Sequence, residues 1–187
     1  MELQGKRAAV LVEQAYQEME VWYPIYRLRE AGCKVTLVGP EAGQTYPSKL
    51  GYPVKSDKAA REVSADDFDV LIIPGGYAPD HMRRCEPMIR LVSTMAEQGK
   101  IVAAICHGPW MLVEAGVVGG STVTSWPTLQ TDIRNAGGTW VDQEVVVDSG
   151  LVTSRKPADI PAFNAKMIEE FAEGTHTRQR QKAKAAR

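Results

Sequence analysis

The sequence predicts an α/β protein: a mainly parallel sheet with helices on both faces. Two observations predict it. Short apolar runs of strand length recur along the chain, at residues 8–12 (AAVLV), 35–38 (VTLV), 68–73 (FDVLII) and 101–105 (IVAAI), with helical apolar spacing between most of them. Several runs also stop abruptly, at Gly39-Pro40, at Pro74-Gly75-Gly76 and at Cys106-His107-Gly108-Pro109.

Residues 8–12 read as a buried first strand, followed by a polar loop over 13–20 and a helix in which Val21, Ile25 and Leu28 share a face. Ala31-Gly32 stops that helix, and residues 35–38 form the second strand. The stretch 41–67 is rich in Gly, Pro, Ser and Lys with only short apolar pieces, so it reads as a small excursion with edge strands. The third strand, 68–73, leads into the glycine loop. Residues 87–98 then repeat apolar groups at Met88, Leu91, Val92 and Met95, with Gly99 as the stop. The fourth strand, 101–105, runs into Cys106. Beyond it come a helix from Trp110, a turn at 116–120, a short strand at 122–124 and a helix over 128–136. Residues 145–153 form a hairpin around Asp148-Ser149-Gly150, and a closing helix spans 157–173 with Asp159 as its cap.

The chain has 187 residues, 44% hydrophobic and 24% charged, which suits one domain able to bury a core without disulfides or metals. One domain is expected over residues 1–174. The basic stretch 175–187, with Arg178, Arg180, Lys182, Lys184 and Arg187, is expected to be a disordered tail. The net charge of −1 points to neither nucleic acid nor a membrane surface. Three cysteines with no CxxC spacing fit a reducing cytoplasm better than a disulfide framework. The first apolar run is too short for a signal peptide, and none approaches the length of a bilayer span. Three scattered histidines and three scattered cysteines match no metal-ligand spacing, and no cofactor is expected.

Ligands of such sheets bind outside the carboxyl ends of the strands, which collects the 13–20 loop, the glycine loop and Cys106 on one edge. Pro109 in the first helical turn and Gly108 before it put Cys106 on a sharp strand-to-helix turn, the geometry of a nucleophile elbow. A buried structural cysteine is the plainer alternative. The helix N-terminus and a nearby Glu20 are expected to depress the Cys106 thiol, with Cys33 and Cys85 ordinary by comparison. Gly75 and Gly76 are either a tight turn or, with the N–H of His107, a set of oxyanion donors. His107 is either a general base beside the thiol or an exposed loop histidine. Asp80 either orients it or caps the helix that follows. Glu20 is either a dipole partner of the first helix or a protonated carboxyl facing the sulfur, Glu18 being the more solvated of the two.

Taken together, AICHGPW after a strand, LIIPGG before it, EMEVWYP at the first helix and VVVDSGLVTSRKPADIPAF near the end resemble the ThiJ/PfpI superfamily. More narrowly, they are similar to its PfpI-like branch of intracellular cysteine peptidases and bacterial stress-related glyoxalase and deglycase proteins. The resemblance runs from Arg7 to about Gly174. It implies a flavodoxin-like three-layer sandwich related to the class I glutamine amidotransferases, with Cys106 as nucleophile and His107 beside it. It implies that Glu20 bonds the thiol, that the backbone of Gly75, Gly76 and His107 forms the oxyanion site, and that Trp126 lines the pocket; a core tryptophan at a strand end is the alternative for that residue. The family's third triad member is an acidic residue supplied by a neighbouring subunit in peptidase-like members, and it falls on Asp80. This chain departs at two places: archaeal peptidase-like members carry glutamate where it has Asp80, and an acidic residue where it has Gln17.

The expected function is therefore a cysteine-dependent enzyme of stress protection acting on small reactive carbonyls, such as methylglyoxal or glyoxal, or on their glycated adducts. A PfpI-type peptidase and a redox-responsive protein without turnover are the rivals. A homo-dimer or higher homo-oligomer is expected from the resemblance.

Overall fold

The computed structural model describes residues 2–175 and resolves the alternation into seventeen elements among them. In order they are β1 (Arg7–Leu11), α1 (Glu18–Glu30), β2 (Lys34–Gly39), β3 (Thr45–Pro47), β4 (Pro53–Lys55), β5 (Lys58–Ala59), β6 (Val70–Ile73), α2 (Ala78–Met82) and α3 (Glu86–Glu97). There follow β7 (Ile101–Ile105), α4 (Pro109–Glu114), β8 (Thr122–Val123), α5 (Gln130–Asn135), β9 (Thr139–Trp140), β10 (Val145–Asp148), β11 (Leu151–Ser154) and α6 (Ile160–Glu173). The basic stretch read from sequence as a tail lies, from residue 176 on, outside the described residues.

Seven strands form one sheet in the order β10-β11-β7-β6-β1-β2-β5, parallel throughout except for the antiparallel β10–β11 hairpin. The strands β6 and β7 are buried along their whole length, which is why they read as continuous apolar runs rather than alternating ones. Helix α1 packs against α6, and α3 against α4, each turning an apolar stripe inward. Met88, Leu91, Val92 and Met95 of α3 and Phe163, Met167 and Phe171 of α6 are buried. Each such side chain contributes roughly 1.5–3 kcal/mol. No helix of the described residues is long and apolar enough to cross a membrane.

The 41–67 excursion resolves into the antiparallel hairpin β3–β4, set off from the sheet, and the two-residue β5, which extends the edge beside β2. The strands β8 and β9 pair with each other in a small parallel sheet. One expected cap is absent. Asp159 stands at the N-cap of α6 but makes no capping hydrogen bond. Its carboxylate is taken by Arg155, whose Nε lies 2.9 Å away and whose Nη1 also binds Asp142. A bidentate guanidinium outcompetes a backbone N–H for the same oxygens.

The chain leaves β1 toward β2 on one side, while β6 and β7 lie on the other. That divergence opens a crevice at the carboxyl ends of β1 and β6. Tyr16, after β1, bridges to Gly76, after β6, and Gln17 N–H donates to Gly75 O at 3.3 Å. The two loops are thereby sewn together beside the end of β7.

Candidate active site

Cys106 continues the line of β7, its N–H donating to Ser154 O at 2.9 Å, and then the chain turns back through a left-handed residue. Its φ is +62°, in a region that costs a non-glycine residue of the order of 1–3 kcal/mol and is kept only where the surroundings enforce it. They do so here. Gly108 N–H closes the turn on Ile105 O at 2.8 Å, and a Cβ at Gly108 would lie 2.4 Å from Ile73 O, so only glycine fits. Pro109 then starts α4.

Glu20 is completely buried in the first turn of α1. Gln17 caps that helix by accepting the Glu20 N–H at 3.0 Å, which fixes where the Glu20 side chain begins. One carboxyl oxygen, Oε2, accepts the Gly75 N–H at 2.8 Å. The other is buried without a hydrogen-bond partner among the described residues, and the carboxyl lies close enough to the Cys106 thiol for the two to influence each other's ionisation. Burial pushes the Glu20 pKa up to about 8, against the opposing Gly75 N–H, so the carboxyl holds its proton at neutral pH.

The thiol corrects the expectation of a depressed pKa. Burial, followed by the charge Glu20 carries when ionised, pushes Cys106 up to about 12, while the N–H groups of Gly76 and His107 work the other way. The loss of water around a residue only 7% exposed outweighs those two donors. Cys33 is not ordinary either: burial drives it up to about 11, and its sulfur donates to Lys6 O.

Gly75 has a different role from the oxyanion donor expected. Its N–H is committed to Glu20, and what it supplies is room: a Cβ there would sit 2.6 Å from Glu20 Oε2 and 2.7 Å from Cys106 Cβ. Gly76, at φ +76° and with no space for a Cβ beside Ala15 O, keeps its N–H directed at the sulfur together with that of His107.

A ring nitrogen of His107, Nδ1, lies 3.3 Å from Cys106 Sγ. The ring is set between two indoles, Trp126 at 6.1 Å and 25° and Trp110 at 5.4 Å and 58° between planes. Trp110 is held by its Nε1–H on Asp132, and Trp126 by its backbone N–H on Cys106 O at 2.8 Å. Burial and then the charge of Lys49 lower the His107 pKa. Trp126 is a cavity wall and not a core residue. Asp80, in contrast, is exposed in the middle of α2, whose N-cap is Tyr77, so it caps no helix. Among the described residues no hydrogen bond or ion pair joins it to His107 of its own chain.

The cavity over the sulfur has a volume of about 410 Å³. Sequence reasoning missed Lys49, Tyr77, Thr128 and Pro157 in its lining. Lys49 had no local signal, since it comes from the polar excursion. Glu18 brings it in, and this corrects the solvated role expected for that residue: its carboxylate accepts from Ser48 Oγ and from Leu50 N–H, on either side of Lys49. Among the described residues, no three His, Cys, Asp or Glu side chains converge as a metal site.

A family model described as the DJ-1/PfpI family matches residues 6–170. The chain belongs to the DJ-1/PfpI family. It is 39% identical over 163 residues to a deglycase of Thermococcus kodakarensis, covering 87% of this chain and 98% of that protein. It is also 39% identical over 164 residues to the putative cysteine protease YraA of Bacillus subtilis, covering 88% and 97%. The crystal structure of Drosophila melanogaster DJ-1beta superposes with a TM-score of 0.84 at 31% identity, covering 96% of each chain. The flavodoxin-like DJ-1/PfpI sandwich expected from the motifs is thus the fold. In this DJ-1/PfpI chain the strained cysteine, the buried carboxyl and the two free N–H donors meet at the switch point of the sheet.

Proposed function

We propose that this DJ-1/PfpI chain is a thiol-dependent enzyme acting on small reactive carbonyls, methylglyoxal or glyoxal, and on the adducts they form with proteins or nucleotides. The observation that carries the reading is a buried Glu20, favoured in its protonated form, lining the same cavity of about 410 Å³ as a strained Cys106. That volume admits a small dicarbonyl or one modified side chain.

Cys106 Sγ adds to the aldehyde carbon, and the carbonyl oxygen takes up a proton as the hemithioacetal forms. With Glu20 neutral its repulsion of the thiolate is absent, and its O–H joins the N–H groups of Gly76 and His107 as a donor to the developing charge. The hydrogen on that carbon then moves as a proton to the neighbouring carbon, relayed by Glu20 or His107. The hydroxyl proton passes to the neighbouring oxygen, leaving a thioester beside a new hydroxyl. Water cleaves the thioester, releasing the hydroxy acid and restoring the thiol. The deglycase name of the Thermococcus relative supports this class of chemistry.

Peptide or amide hydrolysis is the second reading, favoured by the name of the Bacillus relative. Methylglyoxal consumption and a fluorogenic peptide, assayed side by side with wild type and Cys106→Ala, separate the two. Carbonyl turnover that disappears in the variant, with the peptide uncut, is the expected result. A cut peptide with untouched carbonyl selects the peptidase. Turnover of neither leaves the redox-responsive protein.

A further inference from the structure

We propose that Lys49 is an anion-recognition residue at the mouth of the Cys106 cavity, and that the favoured substrates are small 2-oxoaldehydes bearing a carboxylate or phosphate group. The chemistry rests on the carbonyl reading above; the anion recognition does not.

Lys49 lies on the turn between β3 and β4, far in sequence from the elbow, yet it lines the cavity together with Gln17, Tyr77 and Trp126. Three contacts hold the turn there. Lys49 N–H donates to Tyr16 O at 2.9 Å, and the Glu18 carboxylate accepts from Ser48 and Leu50 on its two sides. The ammonium itself lies 6.0 Å from the centre of the Tyr77 ring, a cation–π contact that keeps it over the opening.

No carboxylate among the described residues forms an ion pair with Lys49. Glu18 lies within its field and stays ionised, but it is held by Ser48 and Leu50 outside the cavity lining. The other acid–base groups lining the cavity are Glu20, Cys106, His107 and Tyr77. Near neutral pH the first three carry no charge: burial raises Glu20 to about 8 and Cys106 to about 12, and lowers His107. Lys49 therefore places a cation at the entrance to a cavity whose other acid–base groups are neutral, with Glu18 offsetting part of its charge from outside the lining. The potential there favours an anionic over a neutral ligand of the same size. A neutral aldehyde makes no use of that charge, whereas a 2-oxoaldehyde with an anionic group a few bonds from its carbonyl uses it while the aldehyde carbon meets the sulfur.

The test uses matched pairs of reagents, so that a general loss of reactivity cancels. Cys106 is alkylated with iodoacetate and with iodoacetamide, and the product is identified by peptide mass mapping. The ratio of the iodoacetate to the iodoacetamide rate is expected to fall roughly three- to tenfold in Lys49→Met and to stay near the wild-type value in Lys49→Arg. An unchanged ratio in Lys49→Met, with native thermal stability, overturns the proposal. The second pair is 4,5-dioxopentanoate and its methyl ester, followed by formation of the hydroxy acid. Wild type is expected to prefer the acid in kcat/KM, and Lys49→Met to lose most of that preference. Equal turnover of acid and ester by wild type overturns the substrate class. A lysine-dependent alkylation ratio with no turnover of either dicarbonyl, nor of methylglyoxal, keeps the anion recognition and overturns the carbonyl reading instead.

Discussion

Gly75 donates its N–H to Glu20 Oε2 at 2.8 Å, and the missing side chain of the same glycine is what lets Glu20 and Cys106 approach each other. The glycine acts as a spacer and an anchor for the carboxyl. A methyl group at this position would lie within 2.7 Å of both side chains, closer than any Cβ contact tolerates. Gly75→Ala is expected to cost about 1–3 kcal/mol of stability through overpacking. It is also expected to lower kcat/KM at least tenfold through displacement of a reacting group by about 1 Å. Thermal unfolding and carbonyl turnover check the two parts separately, and a fully active Gly75→Ala protein would remove the spacer role.

Stability should depend on pH through Glu20. Its pKa rises from 4.5 to about 8 on folding, so the fold favours the protonated form. The resulting stabilisation is fully present below pH 4.5 and is lost as the pH rises through 8. Glu20→Gln keeps an acceptor for Gly75 N–H and a donor toward the sulfur but cannot ionise. The melting temperature of Glu20→Gln relative to wild type is expected to climb between pH 5 and pH 9, by an amount worth at most a few kcal/mol. A constant difference across that range would mean that the carboxyl ionises without penalty in the fold.

Among the buried thiols, Cys106 is expected to be oxidised by mild peroxide ahead of Cys33. Cys106 lines the cavity, with the backbone N–H groups of Gly76 and His107 beside its sulfur. The Cys33 sulfur is instead turned toward the backbone carbonyls of Lys6 and Lys34, so access and not thiol acidity is expected to set the order. Peptide mass mapping over time reads the order. Equal rates would show that the cavity gives peroxide no preferential access to Cys106.

His107 has two indoles around it and, among the described residues, no carboxylate hydrogen-bonded to its ring, while Asp80 is exposed on α2. If a second copy of the chain supplies that carboxylate, Asp80 acts across a subunit interface. Cys106→Ala and Asp80→Ala proteins, dissociated together and reassembled, then give mixed dimers with one intact site each. Random pairing in a two-fold dimer restores roughly a quarter of wild-type activity. Absence of recovery, with subunit exchange confirmed by mass, would confine Asp80 to the surface of its own chain.

The order of elements, the buried parallel strands and the elbow at Cys106 were legible in the sequence because each has a local cause. β-Branched runs bounded by glycine and proline form buried strands wherever they occur. Gly108-Pro109 sets a sharp turn whatever surrounds it, and Gly75-Gly76 marks a close approach even when its object is unknown. Glu20 was legible only as a candidate, an acid in the first turn of a helix on the correct edge, and its link to the thiol came from the family resemblance. The tertiary structure decided what depends on distant partners. It brought Lys49 to the cavity through Glu18 and Tyr16, and it assigned Gly75 N–H to the carboxyl rather than to an oxyanion. It left Asp80 on the surface and gave Asp159 to Arg155 instead of to a helix end. It also reversed the pKa expected of Cys106, because a helix terminus is written in the local sequence whereas the loss of water around a sulfur is the sum of everything packed against it.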